Sequence, residues 1–266
     1  GIFLELWGRL FLPKFPPQTD EATLKIMTYN VLGYNPATLA QVQTIRQADA
    51  DVVMLQELHN GLADLLTKEL SAQYPYQVLD AQVDVDGMGV LSKFPLRRIG
   101  RVPELGWVGE PQWLELDWKG RAITLINFHM APTNFFNCHH VQETSRLRRE
   151  EARWLVQQLR PNQPTILAGD SNSTPWSDSY RILQKAAQDA WLQAGWGFGH
   201  TFPGRGGAGS SRAQFFGISI PKWLLRIDYI FITPPLVAIS ARLGRFDGVS
   251  DHRPLIATVK LTCARE

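Results

Sequence analysis

Cysteine is scarce in this chain of 266 residues, which contains only Cys138 and Cys263. Two cysteines are too few for a disulfide framework or for a zinc site built from cysteine. One disulfide would still satisfy the count, but we expect two free thiols, because nothing else in the sequence indicates a need for a cross-link. Long apolar runs are also absent, since no segment approaches the roughly 20 apolar residues that a membrane-spanning helix needs.

The sequence also lacks a strong charge of one sign, because its 27 Lys and Arg residues are balanced by 25 Asp and Glu residues. The formal net charge of +2 argues against a protein that coats polyanions, although a local basic cleft is compatible with it. Hydrophobic residues make up 44% of the chain and charged residues 20%, which excludes a disordered protein. We therefore expect a globular protein with a large core.

The first seventeen residues have a pattern of their own. Apolar side chains recur at helical spacing along one face of this segment: Ile2, Phe3, Leu6, Trp7, Leu10 and Phe11. Pro16 and Pro17 end the predicted helix. Two interpretations stay open, a helix docked on the core of its own domain and an amphipathic segment next to a membrane. The chain begins with Gly1 rather than Met, which suggests a trimmed or processed chain with something missing upstream.

Strand and helix patterns alternate from Leu24 onward. Strands are predicted at Leu24–Tyr29, Asp51–Leu55, Gly89–Ser92, Trp113–Trp118, Ala122–Phe128, Pro164–Ala168, Arg226–Ile232 and Pro254–Val259. Helices are predicted from the Asn35-Pro36 cap, over Leu62–Leu70, from Glu143 to Leu159 and from Ser177. No linker divides the chain after Pro17, so we predict a segment and linker over residues 1–17 and one domain over residues 18–266. The mixture of hairpin-like neighbours and crossovers favours a layered α/β sandwich with mixed sheets.

Polar residues lie at or next to six of the predicted strand ends. They are Asn30, Glu57, His129, Asp170, Asn172, Asp228, Asp251 and His252. Each one alone is typical of a turn, a helix cap or a structural histidine, so the prediction depends on their joint occurrence. Hard oxygen ligands of this kind suit Mg²⁺, Mn²⁺ or Ca²⁺ rather than zinc. Motifs for a zinc protease, a triphosphate-binding loop and a serine nucleophile are absent from the sequence.

Six short strings resemble the endonuclease/exonuclease/phosphatase (DNase I-like) superfamily in order and spacing. They are Tyr29-Asn30-Val31, Leu55-Gln56-Glu57, Asn127-Phe128-His129, Gly169-Asp170-Ser171-Asn172, Arg226-Ile227-Asp228-Tyr229 and Ser250-Asp251-His252. The resemblance runs from Leu24 to Val259 and includes uncharacterised bacterial members with a hydrophobic N-terminal segment. It implies a four-layer α/β/β/α sandwich with two mixed β-sheets. It also implies a metal-dependent phosphoric ester hydrolase.

The resemblance further implies a metal site. Glu57 matches the metal-binding glutamate of the superfamily, and Asn30 matches the asparagine beside it. Asp251, the acidic residue before the catalytic histidine, completes the expected ligands. Mg²⁺ is the expected ion, with Mn²⁺ or Ca²⁺ as alternatives.

Five residues match the catalytic positions of the superfamily. Asp170 corresponds to the aspartate that orients or deprotonates the attacking water, and Asn172 to its partner amide. His129 corresponds to the histidine that contacts the phosphate. His252 is the catalytic histidine, and Asp228 is the carboxylate paired with it. Asp228 should fix the tautomer of His252 and raise its pKa.

The substrate stays open among three hypotheses. The first is a phosphodiesterase or phosphatase, with phospholipid head groups among its substrates. The second is a DNase I-like endo- or exonuclease, and the third is a catalytically silent binding domain. Apurinic endonucleases carry Trp where this chain has Leu225, which disfavours a role in base excision.

Apolar loops and an arginine cluster bear on the partners. The aromatic Gly195–Leu225 stretch, together with Phe135 and Phe136, either packs a lid or meets a lipid-like surface. The expected partners are a lipid head group, a small phosphodiester or nucleic acid. A monomer is expected, with membrane association as one of the two open interpretations, and a membrane-associated or extracytoplasmic location is favoured over a cytoplasmic one. Four arginines are expected on a solvated helix face: Arg146, Arg148, Arg149 and Arg153.

Overall fold

The computed structural model describes residues 8, 10–14, 22–34, 36–100, 106–132, 138–204, 214–215, 218–219 and 221–262. Several residues named above lie outside this part of the chain: Ile2, Phe3, Leu6, Trp7, Phe135, Phe136 and Cys263. The side chain of Cys138 lies outside it too, so the two free thiols stay a prediction. No helix in the described ranges is long and apolar enough to cross a membrane.

Fourteen strands and five helices make up the described elements. The strands are β1 (Thr23–Asn30), β2 (Val52–Gln56), β3 (Tyr76–Asp80), β4 (Met88–Ser92), β5 (Leu96–Arg98), β6 (Gly109–Trp118), β7 (Arg121–His129), β8 (Thr165–Asp170), β9 (Gln188–Asp189), β10 (Gln214–Phe215), β11 (Ile218–Ser219), β12 (Asp228–Ile232), β13 (Leu236–Leu243) and β14 (Leu255–Leu261). The helices are α1 (Leu39–Ala48), α2 (Asn60–Leu70), α3 (Cys138–Gln157), α4 (Asp178–Ala186) and α5 (Ala190–Ala194).

The strands form two six-stranded sheets and one small hairpin. The first sheet has the order β13-β14-β1-β2-β4-β3, and the second has the order β5-β6-β7-β8-β12-β9. Both are mixed, because β1 pairs with β2 and β7 pairs with β8 in parallel while their other pairings are antiparallel. Strands β10 and β11 pair only with each other.

Three apolar clusters define the layers. The central cluster joins residues of both sheets, such as Ile26 of β1 and Ile166 of β8. A second cluster packs Ile45 and Leu66, from α1 and α2, against the outer face of the first sheet. A third packs Leu155 of α3 and other helical residues on the second sheet. The predicted four-layer α/β/β/α sandwich is therefore confirmed.

The two parallel pairs bring their carboxyl ends to the same edge of the sandwich. Strand β1 ends at Asn30, and β8 ends at Asp170 as the register partner of His129. The first residue of β12, Asp228, pairs with Asp170 from the other side. Buried amides join the two sheets directly below this edge, because Gln56 Nε2 donates to Asn127 Oδ1 over 2.7 Å. The topology thus collects polar strand ends above an apolar core.

The structure differs from the predicted elements at two helix starts and in several short or edge elements. Helix α1 begins at Leu39 behind a Thr38–Gln41 capping box, so the predicted Asn35-Pro36 start was wrong. Helix α3 begins at Cys138, five residues before the predicted Glu143. Strands β3, β5 and β13 were not predicted, because each lies at a sheet edge and is only partly buried. The short elements β9, β10, β11 and α5 were not predicted either, since two to five residues carry too little periodicity.

The described part of the N-terminal segment packs against the loop after α5. Gly197 N donates to Leu10 O over 2.7 Å, and the Phe11 ring meets the rings of Trp196 and Phe198 edge-on. Leu10 is also packed against the central apolar cluster. Residues 10–14 therefore contact the domain, and the boundary at residue 17 stays a prediction.

Candidate active site

A cleft of about 480 Å³ opens at the edge where the strand ends meet. Six of the eight predicted residues line it: Glu57, His129, Asp170, Asn172, Asp251 and His252. The other two, Asn30 and Asp228, are buried behind them and are 1% exposed. The structure thus brings the whole predicted set to one place.

The backbone takes unusual conformations at two of these residues. Glu57 has φ of 57° and Asn172 has φ of 47°, both in the left-handed region that costs most L-residues about 1 kcal/mol or more. Each turns the chain sharply after a strand and directs its side chain into the cleft. Gly169 permits the close approach of β8 to β7 just before Asp170, because a Cβ atom there would lie 1.9 Å from Phe128 O. Local strain is thus concentrated where the strands deliver polar side chains.

Asn30 connects two carboxylates across the sheets. Its Nδ2 donates to Glu57 Oε1 over 2.9 Å and to Asp170 Oδ2 over 3.0 Å. Its Oδ1 accepts from Leu32 N, so in this arrangement the amide oxygen is already used within the protein. Gly33 N donates to Glu57 Oε2 over 3.2 Å. Asn30 therefore holds Glu57 and Asp170 in fixed positions.

His252 and Asp228 form a buried hydrogen-bonded pair. His252 Nδ1 donates to Asp228 Oδ2 over 2.8 Å, which leaves Nε2 directed to the cleft, 3.6 Å from Asp170 Oδ2. Burial opposes the positive charge, but Asp228, Asp170 and Asp251 outweigh it and raise the pKa of His252 well above its usual value. The pair therefore favours the protonated form of the imidazole at the cleft.

His129 and Asn172 face this pair from the end of β7 and the turn after β8. Asn172 Nδ2 lies 3.2 Å from His129 Nε2, and it donates to Met130 O over 2.9 Å. His129 Nε2 also lies 3.7 Å from Asp170 Oδ2. Burial lowers the pKa of His129, partly offset by Asp170. Two histidines of opposite pKa shift therefore flank one carboxylate.

The carboxylates carry more negative charge than the described protein groups offset. Burial raises the pKa of Glu57 to about 7, and the nearby Asp251 and Asp170 add to the rise. Burial likewise raises the pKa of Asp170 and of Asp251. Oδ1 of Asp251 is buried without a hydrogen-bond partner among the described residues. Hard carboxylate oxygens in excess of local positive charge fit a divalent cation.

One group of acidic and histidine atoms in the described ranges has the spacing of metal ligands. It consists of Asp170, Asp228 and His252, whose ligand atoms lie within 4.8 Å of one another. His252 Nδ1 and Asp228 Oδ2 already bond each other, however, so this spacing reflects the hydrogen-bonded pair. Glu57 and Asp251 face the cleft and are the better candidates to hold a cation.

Arg148 was expected on a solvated helix face, and the structure corrects this. Its side chain lines the cleft, is only 7% exposed, and donates from Nη1 to Ala131 O over 2.7 Å. Arg148 shares a helical phase with Glu151, Ala152 and Leu155, which are fully buried. That phase is the sequence signal that could have identified it.

Known proteins resemble this chain in sequence family and in fold. The family model described as "Endonuclease/Exonuclease/phosphatase family" matches residues 27–252. The chain therefore belongs to this family, as the resemblance implied. No sequence among the curated proteins matches the chain.

Solved structures share the fold. The endonuclease/exonuclease/phosphatase of Beutenbergia cavernae has a TM-score of 0.67 and 20% identity, covering 91% of this chain and 72% of that chain. TDP2 of C. elegans has a TM-score of 0.68 and 18% identity, covering 89% of this chain and 75% of that chain. D. rerio TDP2, in a complex with a single-strand DNA product, has a TM-score of 0.65 and 20% identity, covering 90% and 100%.

Proposed function

We propose that this protein hydrolyses phosphoesters with the help of a divalent cation bound in the 480 Å³ cleft. One observation carries the proposal. Nε2 of His252, held by Asp228, lies 3.6 Å from the Asp170 carboxylate in an open cleft that also contains Glu57. This arrangement offers a proton acceptor and a charged hydrogen-bond donor to the same small volume.

Asp170 and His252 have different roles in the proposed hydrolysis. Asp170, whose pKa is raised by burial, orients a water molecule and accepts its proton. The water oxygen bonds to phosphorus while the bond to the leaving oxygen breaks. Protonated His252 donates a hydrogen bond to the phosphoryl oxygens, where negative charge develops. A cation held by Glu57 and Asp251 would neutralise charge on the phosphoester.

Three further side chains orient the phosphate. His129 and Asn172 also line the cleft, and we assign them contacts with the phosphate that replace their present contact with each other. Arg148 contributes a buried positive charge to the same cleft, and guanidinium groups bind phosphate oxygens well. We include Arg148 in the phosphate-binding set on these grounds.

Cation dependence is the direct test of this proposal. We expect hydrolysis of bis(p-nitrophenyl) phosphate with Mg²⁺ or Mn²⁺, loss of the activity in EDTA, and recovery with excess Mg²⁺. Glu57→Gln should raise the Mg²⁺ concentration needed for half-maximal activity. Glu115→Gln is the matched control, since Glu115 is ion-paired with Arg97 away from the cleft. Full turnover in EDTA, or equal Mg²⁺ dependence in both variants, would contradict the proposal.

The natural substrate is proposed to be a phosphodiester with a lipid head group, and the nuclease hypothesis is the alternative. Apolar residues around the cleft support the lipid hypothesis, and they include Leu32, Val108 and Phe202. The single-strand DNA product bound to D. rerio TDP2 supports testing the nuclease hypothesis. Turnover should be compared on lysophospholipid, sphingomyelin, inositol phosphates and single-stranded DNA. Exclusive activity on DNA would overturn the lipid assignment and leave the hydrolase proposal intact.

A further inference from the structure

A second cavity, of about 410 Å³, adjoins the catalytic cleft. Thr174 and Leu225 line both cavities, so the two are neighbours along one wall of the protein. The segment from Asn172 to Ser177 lines the cleft at both of its ends and the second cavity at Pro175 and Trp176. A ligand that lies along this segment would reach from one cavity into the other.

The second cavity has mostly apolar walls. Leu10, Leu192, Phe198 and Leu224 are among the residues that line it. Its volume lies within the range of about 300–1,000 Å³ that is common for small-molecule sites. An apolar group of moderate size is therefore the kind of ligand that fits.

The charged residue in its wall is already paired within the protein. Arg226 is 3% exposed and donates from Nη1 to Asp189 Oδ2 over 2.6 Å. Its guanidinium also lies over the rings of Tyr180 and Tyr229, with its central carbon 5.6 and 4.8 Å from the ring centroids. A ligand anion would have to compete with Asp189 for this side chain. The charge of Arg226 is therefore already compensated by Asp189, and we assign the phosphate group to the neighbouring cleft.

Large apolar side chains are exposed at the mouth of this cavity. Trp176 is 55% exposed and Leu224 is 46% exposed, and both line it. Covering such surface with an apolar group removes it from water, which favours binding. The exposure at these two residues thus favours an apolar occupant.

We propose that the second cavity binds the apolar substituent of an amphiphilic phosphoester while its phosphate lies in the catalytic cleft. The inference rests on the proposed function, and it adds that the substrate carries an alkyl-like group beside its phosphate. The apolar group is part of the substrate, so one substrate molecule occupies both cavities.

Matched synthetic esters test the proposal. Methyl p-nitrophenyl phosphate and hexyl p-nitrophenyl phosphate share a leaving group and differ in one alkyl chain. In each reaction water adds to phosphorus and p-nitrophenolate leaves, so the products are p-nitrophenolate and the alkyl phosphate. Each methylene buried in the cavity should raise kcat/KM by about fourfold at most, so we expect the hexyl ester to be favoured at least about tenfold. The esters are used below the concentration at which they form micelles.

Two leucine variants locate the effect. Leu224→Ser should keep turnover of the methyl ester and lose most of the hexyl preference. Leu12→Ser is the control, because Leu12 is 58% exposed and lines neither cavity. Equal kcat/KM for both esters in the wild type, or the same loss of preference in both variants, would overturn the proposal.

A binding measurement separates this inference from the hydrolase proposal. Hexylphosphonate and methylphosphonate are titrated against the protein with Mg²⁺ present, and tryptophan fluorescence is recorded. Tighter binding of hexylphosphonate that depends on Leu224 would support the apolar cavity even if no ester were hydrolysed. Equal binding of the two phosphonates would overturn it, whatever the outcome of the turnover assay.

Discussion

Two buried charged pairs lie side by side near the start of β12 and have opposite surroundings. In the first, Arg226 donates to Asp189 Oδ2, and that oxygen also accepts from Tyr180 while Oδ1 accepts from Trp191 N. In the second, His252 bonds Asp228 Oδ2, but Asp228 Oδ1 is buried without a hydrogen-bond partner in the described part of the chain. Both carboxylate oxygens of the first pair therefore have partners within the fold. The second pair leaves Asp228 Oδ1 and His252 Nε2 at or near the cleft.

We therefore expect the first pair to stabilise the fold and the second pair to take part in hydrolysis. A buried ion pair whose lone pairs are all satisfied holds segments together, and removal of one partner leaves an uncompensated charge. A cluster of carboxylates with raised pKa values stores unfavourable electrostatic energy that a bound ligand can offset. Variants of the two pairs should therefore separate stability from turnover.

The largest expected effect is on turnover. Asp170→Ala should lower kcat for bis(p-nitrophenyl) phosphate by about 10³-fold or more, because it removes the proposed proton acceptor. The melting temperature should stay the same or rise, since a buried carboxylate near Glu57 and Asp251 is lost. Asp64→Ala on the exposed face of α2 is the control and should leave kcat unchanged. A tenfold loss or less in Asp170→Ala would contradict the assignment.

The next effect is on stability. Asp189→Asn should lower the free energy of unfolding by about 3–5 kcal/mol, because the buried Arg226 loses its counter-charge. Urea unfolding followed by circular dichroism measures this loss. The kcat of the folded variant should change less than tenfold. An unfolding free energy equal to that of the wild type would contradict the structural role of the pair.

A smaller effect is expected when the imidazole keeps its place and loses its counter-ion. Asp228→Asn should lower kcat by about 10²-fold at neutral pH, because Asn accepts the Nδ1 proton without a negative charge. Asp228 is one of the groups that raise the pKa of His252, so that pKa falls in the variant. Activity should then be lost at a lower pH than in the wild type. A pH–rate profile with an unmoved alkaline limb would contradict this.

The smallest effect concerns a buried carboxyl behind the cleft. Burial raises the pKa of Glu151 from 4.5 to about 7. Folding therefore favours its protonated form, so its contribution is fully present below pH 4.5 and is lost as the pH rises through 7. Glu151→Gln keeps a hydrogen-bond acceptor for Ala131 N, and should be about 2–3 kcal/mol more stable than the wild type at pH 8 and equal to it at pH 4.5. A constant difference in melting temperature across this range would contradict the prediction.

Much of the fold could be predicted because its core strands are strongly apolar. Strands such as β2 and β8 are buried along their whole length, and each ends in polar residues that the topology gathers. The edge strand β5 has one partly buried residue in three, so it carries no comparable pattern. Hydrophobic periodicity indicates burial, and edge strands have little of it.

The candidate site was predictable as a set of residues and less so as a geometry. Six motifs identified the eight side chains, but no motif shows that Asn30 uses its nitrogen to bridge Glu57 and Asp170. The burial of Arg148 was missed although its helical phase indicated it, and its hydrogen bond to the Ala131 carbonyl, seventeen residues away in the segment after β7, has no sequence signal. Contacts of this kind depend on how α3 packs on the second sheet, which local sequence does not specify.

Of the two neighbouring pairs, Arg226–Asp189 should matter mainly for stability and His252–Asp228 mainly for catalysis. The most direct test measures His252→Ala and Asp189→Asn in the same two assays, the turnover of bis(p-nitrophenyl) phosphate with Mg²⁺ and the free energy of unfolding. We expect His252→Ala to lose about 10³-fold or more in turnover and to lose less stability than Asp189→Asn, because the space left by the imidazole opens to the cleft and its water. We expect Asp189→Asn to lose stability with its turnover kept within tenfold. Parallel losses in both variants, or full turnover in His252→Ala, would contradict the account.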